Sequence, residues 1–241
     1  MRNAPRYGVE MCESCLSCAW RGDSFFCQLD PQTLKAFDAI TFANVYPGGN
    51  LLYAEGEAPR GLFILCYGSA KLTISSGGGK KLITRRVEPG DPLGLTSVLS
   101  GNPYKATAET VTPSQLKFIK RDDFLRFMAE HRDISFNIAR QLIDECESDA
   151  DQIRALGLAN SAAEKLAYLL LQWCEQQGSP SASGTRFPVS MTHEEISQTI
   201  GTSRETVSRL LKSFKEKKII SVRPSSMTVH RKDELEDLIL L

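Results

Sequence analysis

Four cysteines, Cys12, Cys15, Cys18 and Cys27, fall in one short N-terminal segment, the first three with two residues between neighbours. Thiolates at that spacing can turn back on one soft metal, and four of them satisfy either a tetrahedral zinc or an iron-sulfur cluster. A metal-free thiol switch uses the same residues. The other three of the seven cysteines, Cys66, Cys146 and Cys174, are scattered. Cys66 lies in the apolar run LFILCYG and reads as a small core residue, and Cys27, beside Phe25 and Phe26, can also serve as packing. Seven unevenly placed cysteines do not make a disulfide scaffold, and in a cytosolic chain clustered cysteines point to metal or redox chemistry.

A second constellation stands near the other end. Arg204, Glu205, Ser208 and Arg209 occupy positions i, i+1, i+4 and i+5, one face of two helical turns. Arginine can donate two hydrogen bonds to guanine, glutamate can accept from cytosine, and serine can do either. Val207, Leu210, Leu211 and Phe214 form the opposite, apolar stripe. From Ser203 to Lys232 nine cations, Lys212 and Lys217 among them, face only Glu205 and Glu216, a local net charge of +7. Such a patch suits phosphates, although a charged helix is often only a solvated face.

The elements that must position these groups follow from periodicity. Thr192 precedes HEEISQTI with Glu195 three residues on, a capping box. Gly201 ends that helix, Thr202 follows, and Ser203 caps a second one, RETVSRLLKSFKEKK, giving a helix-turn-helix. The tail IISVRPSSMTVHR alternates around Pro-Ser-Ser like a two-stranded wing, and GSPSASGTRFPV reads as a connecting loop. From Thr41 to about Phe118, short alternating runs broken by Gly and Pro predict an antiparallel roll. DDFLRFMAEHRDISFNIARQLIDECESDADQIRALGL predicts a long amphipathic helix with a narrow seam through Ile138, Leu142, Cys146, Ile153 and Leu156. Asp144, Glu145, Glu147, Asp149 and Asp151 crowd that helix, so two copies side by side repel each other unless these carboxylates face solvent. The GGGKK stretch at Gly77 to Lys81 lacks phosphate-loop spacing and reads as a hairpin tip.

The expected architecture is α+β: a cysteine-containing segment over 1–30, a β-roll over 31–130, a dimerisation helix over 131–160 and a winged helix-turn-helix over 161–241. MTHEEISQTIGTSRETVSRLLKSFKEKKII, with the order of roll, long helix and winged helix, resembles the family of the cyclic-AMP receptor protein and the fumarate-nitrate reductase regulator (CRP/FNR). The resemblance implies a homodimeric transcription regulator that binds double-stranded DNA and RNA polymerase. It implies that Arg204, Glu205 and Arg209 read a TGTGA-like half-site, whereas Ser208 beside Arg209 matches the oxygen-sensing branch, which reads a TTGAT-like one. The cyclic-AMP branch carries Gly-Glu-Leu and Arg-Ser in its phosphate cassette. Here the matching positions are Gly94, Leu95 and Thr96, then Pro103, Tyr104, Lys105 and Ala106. Leu95 cannot bind a ribose hydroxyl and no arginine awaits the phosphate, so cyclic AMP is not expected as effector, leaving either a different small anion near Lys105 or a pocket filled by Leu95 and Tyr104. The cysteines resemble the cluster-binding N-terminus of the oxygen-sensing branch with tighter spacing, and Lys117 stands where that branch has its later ligand.

Composition sets the bounds. The 241 residues are 41% hydrophobic, enough for packed domains, and 29 Lys plus Arg balance 29 Asp plus Glu, so any polyanion must meet a local patch. No apolar run of membrane-spanning length occurs, and the N-terminus has no apolar stretch, which predicts a soluble cytoplasmic protein without a membrane partner. An enzyme finds little support, because His131, His193 and His230 lie in separate elements outside any catalytic motif. The other rival is a redox or metal (iron-sulfur or zinc) protein whose winged helix binds a partner, and it predicts no steep salt dependence of DNA affinity.

Overall fold

The computed structural model describes residues 5–240 except 19, 21–23, 133, 182 and 190, so parts of the 1–30 segment lie outside the described residues. The chain divides into two compact units. One runs to Gly78 and resumes from Ile83 to Cys146, and the other comprises Gly79–Leu82 and the chain from Glu147 onward.

In the first unit, helix α1 (Pro31–Ala39) is capped by Asp30 and followed by eight strands: β1 (Thr41–Tyr46), β2 (Leu51–Tyr53), β3 (Gly61–Tyr67), β4 (Ala70–Ser75), β5 (Lys81–Val87), β6 (Pro92–Leu93), β7 (Thr107–Thr110) and β8 (Ser114–Lys120). Helix α2 (Leu95–Ser100) interrupts them after β6. They form two four-stranded sheets, ordered β1-β8-β3-β6 and β2-β7-β4-β5. β3 departs from alternation, with Gly61 to Leu65 all buried, because one side faces the inter-sheet core and the other a second core with Leu34, Phe37, Phe124 and Ile138. At its end the ladder with β8 slips between Leu65 and Tyr67, which makes Cys66 a bulge residue.

The single long helix read from DDFLRFMAEHRDISF is two helices, α3 (Arg121–Glu130) and α4 (Ile134–Gly157), with a break at His131. Phe127 and Ile134 are both buried in the roll's core, and the break lets two helix axes serve that one core. The seam also differs from the expected one. Ile138 is buried, and Leu142 packs on the roll, whereas Phe136, Ile143 and Ile153 are 71%, 55% and 71% exposed. With exposed Ala139, Cys146 and Ala150 they form an unbroken three-four heptad row. Of the crowded carboxylates, Glu145 turns to the roll instead of solvent, pairing with Arg85 at 2.8 Å and accepting from Thr96 Oγ1 at 3.3 Å.

The second unit holds α5 (Ala162–Gln177), β9 (Ser179–Ser181), β10 (Gly184–Pro188), α6 (His193–Ile200), α7 (Arg204–Glu216), β11 (Ile220–Arg223), β12 (Ser226–Val229) and α8 (Lys232–Leu240). GSPSASGTRFPV is therefore not a plain connection: β9 and β10 pair, and β10 extends the wing into a sheet ordered β11-β12-β10-β9. Phe187 explains it, a buried aromatic edge-on to Trp173 that ties β10 to α5. No helix among the described residues is long and apolar enough to cross a membrane.

Candidate functional site

Local capping chemistry builds the helix-turn-helix. The Thr192 hydroxyl accepts from Glu195 N–H at 3.2 Å while the Glu195 carboxylate accepts from Thr192 N–H at 2.9 Å, satisfying two N-terminal donors of α6. Gly201 ends α6 at φ 67°, a left-handed conformation that favours glycine. Thr202 N–H donates to Ser197 C=O at 3.0 Å, and Ser203 Oγ accepts from Thr206 N–H at 3.2 Å to start α7. Val207, Leu211 and Phe214 are buried in this unit's core, with Leu210 partly buried beside them. Arg204, Glu205 and Arg209 remain exposed on the other side. Its own backbone N–H and the Ser203 hydroxyl hold the Glu205 carboxyl below its usual range, so it stays an acceptor. Ser208 makes a bond that no local pattern announces, 2.8 Å from His193 Nδ1 on α6. Lys212 pairs loosely with Glu216 at 3.9 Å, Lys217 caps α7, and Arg231 donates to the Lys217 carbonyl. Lys215, Lys218, His230 and Arg231 line one concave surface beside the wing.

In the roll, Gly94 takes φ 86°, and a Cβ there would meet the Tyr104 ring at 2.8 Å. Leu95 and Tyr104 are buried. The Tyr104 ring stacks on Tyr53 at 3.8 Å, and its hydroxyl donates to Gly61 C=O. Burial first, then Tyr104, push the Tyr53 hydroxyl far up, so both rings stay neutral. Lys105 is exposed. Sequence reasoning missed Arg85, half-buried on β5, whose guanidinium meets Glu145 and the Pro92 carbonyl instead of a free anion.

The cysteines converge. Cys12, Cys15, Cys18, Cys27 and Cys66 line one cavity of about 50 Å³, walled by Trp20, Phe26, Leu34, Phe37, Ile64 and Leu65. Cys66, expected as a small core residue, follows Leu62 and Ile64 on one face of β3 and lines the cavity beside Ile64, Leu34 and Phe37. Cys27 follows Phe26, whose ring lies 5.3 Å from Phe37 and holds that turn against α1. Asp38 fastens the segment, accepting from the Ser14 hydroxyl at 2.7 Å and from Cys15 N–H at 2.8 Å. Gln115 clamps Cys12 at both backbone groups, at 2.7 and 2.6 Å.

Lys117 is buried and donates to Asp38 at 2.5 Å, Glu13 C=O at 3.0 Å and Thr41 Oγ1 at 3.3 Å, which uses all three ammonium protons. Burial opposes its charge, but Asp38 outweighs it and holds the lysine protonated. Against the same burial, Cys15 N–H, Lys117 and Ser14 draw the Asp38 carboxyl down to about 2. Desolvation pushes the Cys15 thiol up to about 11 and that of Cys66 up to about 12, so both are protonated near neutrality. Five thiols on one cavity are the donor chemistry of a soft metal. Among the described residues, however, no three His, Cys, Asp or Glu side chains stand close enough together to ligate one metal ion.

Residues 43–131 match the Cyclic nucleotide-binding domain family and residues 164–238 the Crp-like helix-turn-helix domain family. A CRP-like cAMP-activated global transcriptional regulator of Mycobacterium tuberculosis is 26% identical over 207 residues, 86% of this chain and 92% of that protein. Regulatory protein HlyX of Actinobacillus pleuropneumoniae is 29% identical over 77% of this chain and 76% of its own. The fold is shared with FixK2 from Bradyrhizobium japonicum, with a TM-score of 0.69 at 20% identity over 83% of this chain and 97% of that one. These relatives are regulators rather than enzymes, and members of the family respond to cyclic nucleotides or other effectors. With the roll, the long helix and the winged helix-turn-helix in the family's order, this chain belongs to the CRP/FNR family of DNA-binding transcription regulators.

Proposed function

We propose that the protein acts as a homodimer on a palindromic TGTGA- or TTGAT-like site, and that its signal enters the roll through the cysteine cavity rather than as cyclic AMP. The observation that carries the DNA reading is the two-sidedness of α7: Arg204, Glu205 and Arg209 exposed, Val207, Leu211 and Phe214 anchored in the core. The arginines suit guanine O6 and N7, and the ionised Glu205 suits cytosine N4. Thr192 and Ser203 are committed to caps, so their part is to aim the helices, while Thr202, Lys212, Lys217 and the concave cationic surface suit phosphates. Ser208, held by His193, joins the reading face to α6, and its hydroxyl is shared between that bond and a base. Arg209→Ala is expected to cost on the order of 1–3 kcal/mol on the preferred palindrome and little on random DNA, whereas Lys217→Ala weakens both alike. Equal loss on both sequences for Arg209→Ala overturns the assignment.

Dimerisation is supported by the exposed heptad row from Phe136 to Ile153, which a second copy of α4 would cover, and a two-fold dimer matches a palindrome. A variant with Ile143→Glu and Ile153→Glu is expected to sediment as a monomer and lose site-specific binding. The RNA polymerase partner follows from the family and is tested by transcription from a template carrying the site. Leu95 and the stacked Tyr53 and Tyr104 fill the roll where a cyclic nucleotide would enter, and Glu145 occupies the Arg85 guanidinium. Cyclic AMP is therefore expected to leave DNA affinity unchanged, and tight calorimetric binding coupled to tighter DNA binding refutes this. At the cysteines the finer choices are an iron-sulfur cluster, zinc or a thiol switch.

A further inference from the structure

We propose that His193, the first residue of α6, is a positioning residue for Ser208: by engaging the Ser208 hydroxyl it restricts which base that serine accepts, so that part of the sequence choice is made outside α7. This rests on the reading above that α7 is the base-reading helix, and it adds a determinant that RETVSRLLKSFKEKK alone does not announce.

The bond between the two side chains carries this. A serine or threonine within a helix commonly turns its hydroxyl back to a carbonyl three or four residues earlier in the same helix. In α6 two residues do so: Ser197 donates to Glu194 C=O at 2.7 Å and Thr199 to Glu195 C=O at 2.9 Å. Ser208 instead meets His193 Nδ1 at 2.8 Å, on another helix and fifteen residues away. Both ends of this bridge are fixed. The capping box of Thr192 and Glu195 sets where α6 begins, and Val207 and Leu211, buried in the core, set the rotation of α7. His193 is exposed, and Ser208 is half-buried on the same face as the exposed Glu205 and Arg209.

A serine hydroxyl has one proton and two lone pairs, and on its own it turns to suit whatever it meets. The imidazole takes one of those functions. A bare Nδ1 accepts the only proton, so lone pairs alone face the groove and suit the amino group of adenine or cytosine. An Nδ1 that carries hydrogen donates to the oxygen, and the hydroxyl proton is then left for guanine O6 or N7 or for thymine O4. In both states a serine able to read two classes of base edge is confined to one. Its rotamer is also held before DNA arrives, which lowers the ordering cost of the contact. The ring need not touch a base to do this. In a helix-turn-helix the second helix enters the major groove while the first crosses the backbone, so the bond ties the reading helix to the one beside the phosphates.

The test uses the full chain and DNA duplexes: the palindrome that the parent selects from a randomised pool, its symmetric single-base-pair variants at every half-site position, and random DNA, all at one pH and salt concentration. Ser208→Ala identifies the position that Ser208 reads. There the parent should prefer one base pair. His193→Ala, and His193→Phe, which keeps a ring without nitrogen, should each shrink that preference by roughly three- to tenfold. Preferences at the other positions and affinity for random DNA should stay within about twofold. Adding His193→Ala to Ser208→Ala should cost nothing further at that position. His193→Asp, whose carboxylate can only accept, should leave Ser208 with lone pairs alone and impose a preference for a base with an amino group there, while its charge weakens all duplexes alike. Circular dichroism confirms that each variant is folded. An unchanged profile in His193→Ala, a change at a different position, a His193→Phe variant that reads like the parent, or a His193→Asp variant without preference at that position overturns the proposal. So does a uniform loss for His193→Ala on every duplex, random DNA included, which would make His193 a phosphate contact. If Ser208→Ala alters no position while Arg209→Ala does, the proposal falls and the reading of α7 survives; if neither alters any, the reading of α7 falls with it.

Discussion

On α7 the ionised groups stand in water with a hydrocarbon stripe behind them, whereas in the roll Lys117 and Asp38 lie under the N-terminal segment with side chains only 3% and 17% exposed. The difference lies in what each charge can be traded against. An exposed arginine exchanges water and counterions for phosphate or a base edge, so its value depends on salt and on the DNA sequence. A buried lysine has already given up its water, so its value is fixed by one partner and collapses without it. The winged helix is therefore built to be adjusted by small steps, and the roll beneath the cysteines to hold one arrangement.

The largest expected effect tests the buried side of this contrast. Lys117→Met should lower the roll's stability by about 3–5 kcal/mol in denaturant unfolding, because Asp38 is left as an uncompensated buried charge. Adding Asp38→Asn should recover much of that loss. A Lys117→Met cost below about 1 kcal/mol would mean that water reaches the pair and that the two regions do not differ as argued.

Acid probes the same pair with less force. The Asp38 carboxyl titrates near 2 in the folded chain against 3.8 ordinarily, so the unfolded chain binds the proton more tightly. Its contribution, about 2 kcal/mol, is present in full above the ordinary value and is lost as pH falls from there through about 2. Stability measured from pH 5 to 2 should therefore fall more steeply in the parent than in Asp38→Asn. Identical slopes would place the acid sensitivity elsewhere.

How far each region could be read in advance follows from the same contrast. The capping box at Thr192, the stop at Gly201 and the reading face from Arg204 to Arg209 are built from neighbours in the chain, so periodicity and capping rules locate them. The roll was legible from its short apolar runs and Gly and Pro breaks, although β3 and β8 bury consecutive residues instead of alternating. The thiol cavity was only half legible: the N-terminal cysteines announce themselves by spacing, but nothing in LFILCYG says that the Leu62, Ile64 and Cys66 face of β3 meets a segment so distant in the chain. The pairing of Arg85 with Glu145 was missed for a related reason, since two residues so far apart in the chain meet only where the roll unit folds. Phe187 made a strand of what its Gly and Ser neighbours suggested was a loop, a case of tertiary packing overriding composition.

The smallest expected effect tests the exposed side. Lys212 and Glu216 on α7 stand 3.9 Å apart with side chains 77% and 66% exposed, and an ion pair in that setting contributes a few tenths of a kcal/mol at most. Glu216→Gln should therefore leave unfolding unchanged within about 0.5 kcal/mol, in contrast to Lys117→Met. Its effect should appear in DNA binding instead. Removing one of the two anions between Ser203 and Lys232 raises the local net charge from +7 to +8 and releases Lys212 toward a phosphate. Affinity should rise a few-fold, equally on the palindrome and on random DNA, because phosphate contacts carry no sequence information. The gain should shrink with added salt as counterions screen the extra charge. A gain confined to the palindrome would make Glu216 part of the reading face, and a stability loss above about 1 kcal/mol would show that even this exposed pair behaves like the buried one.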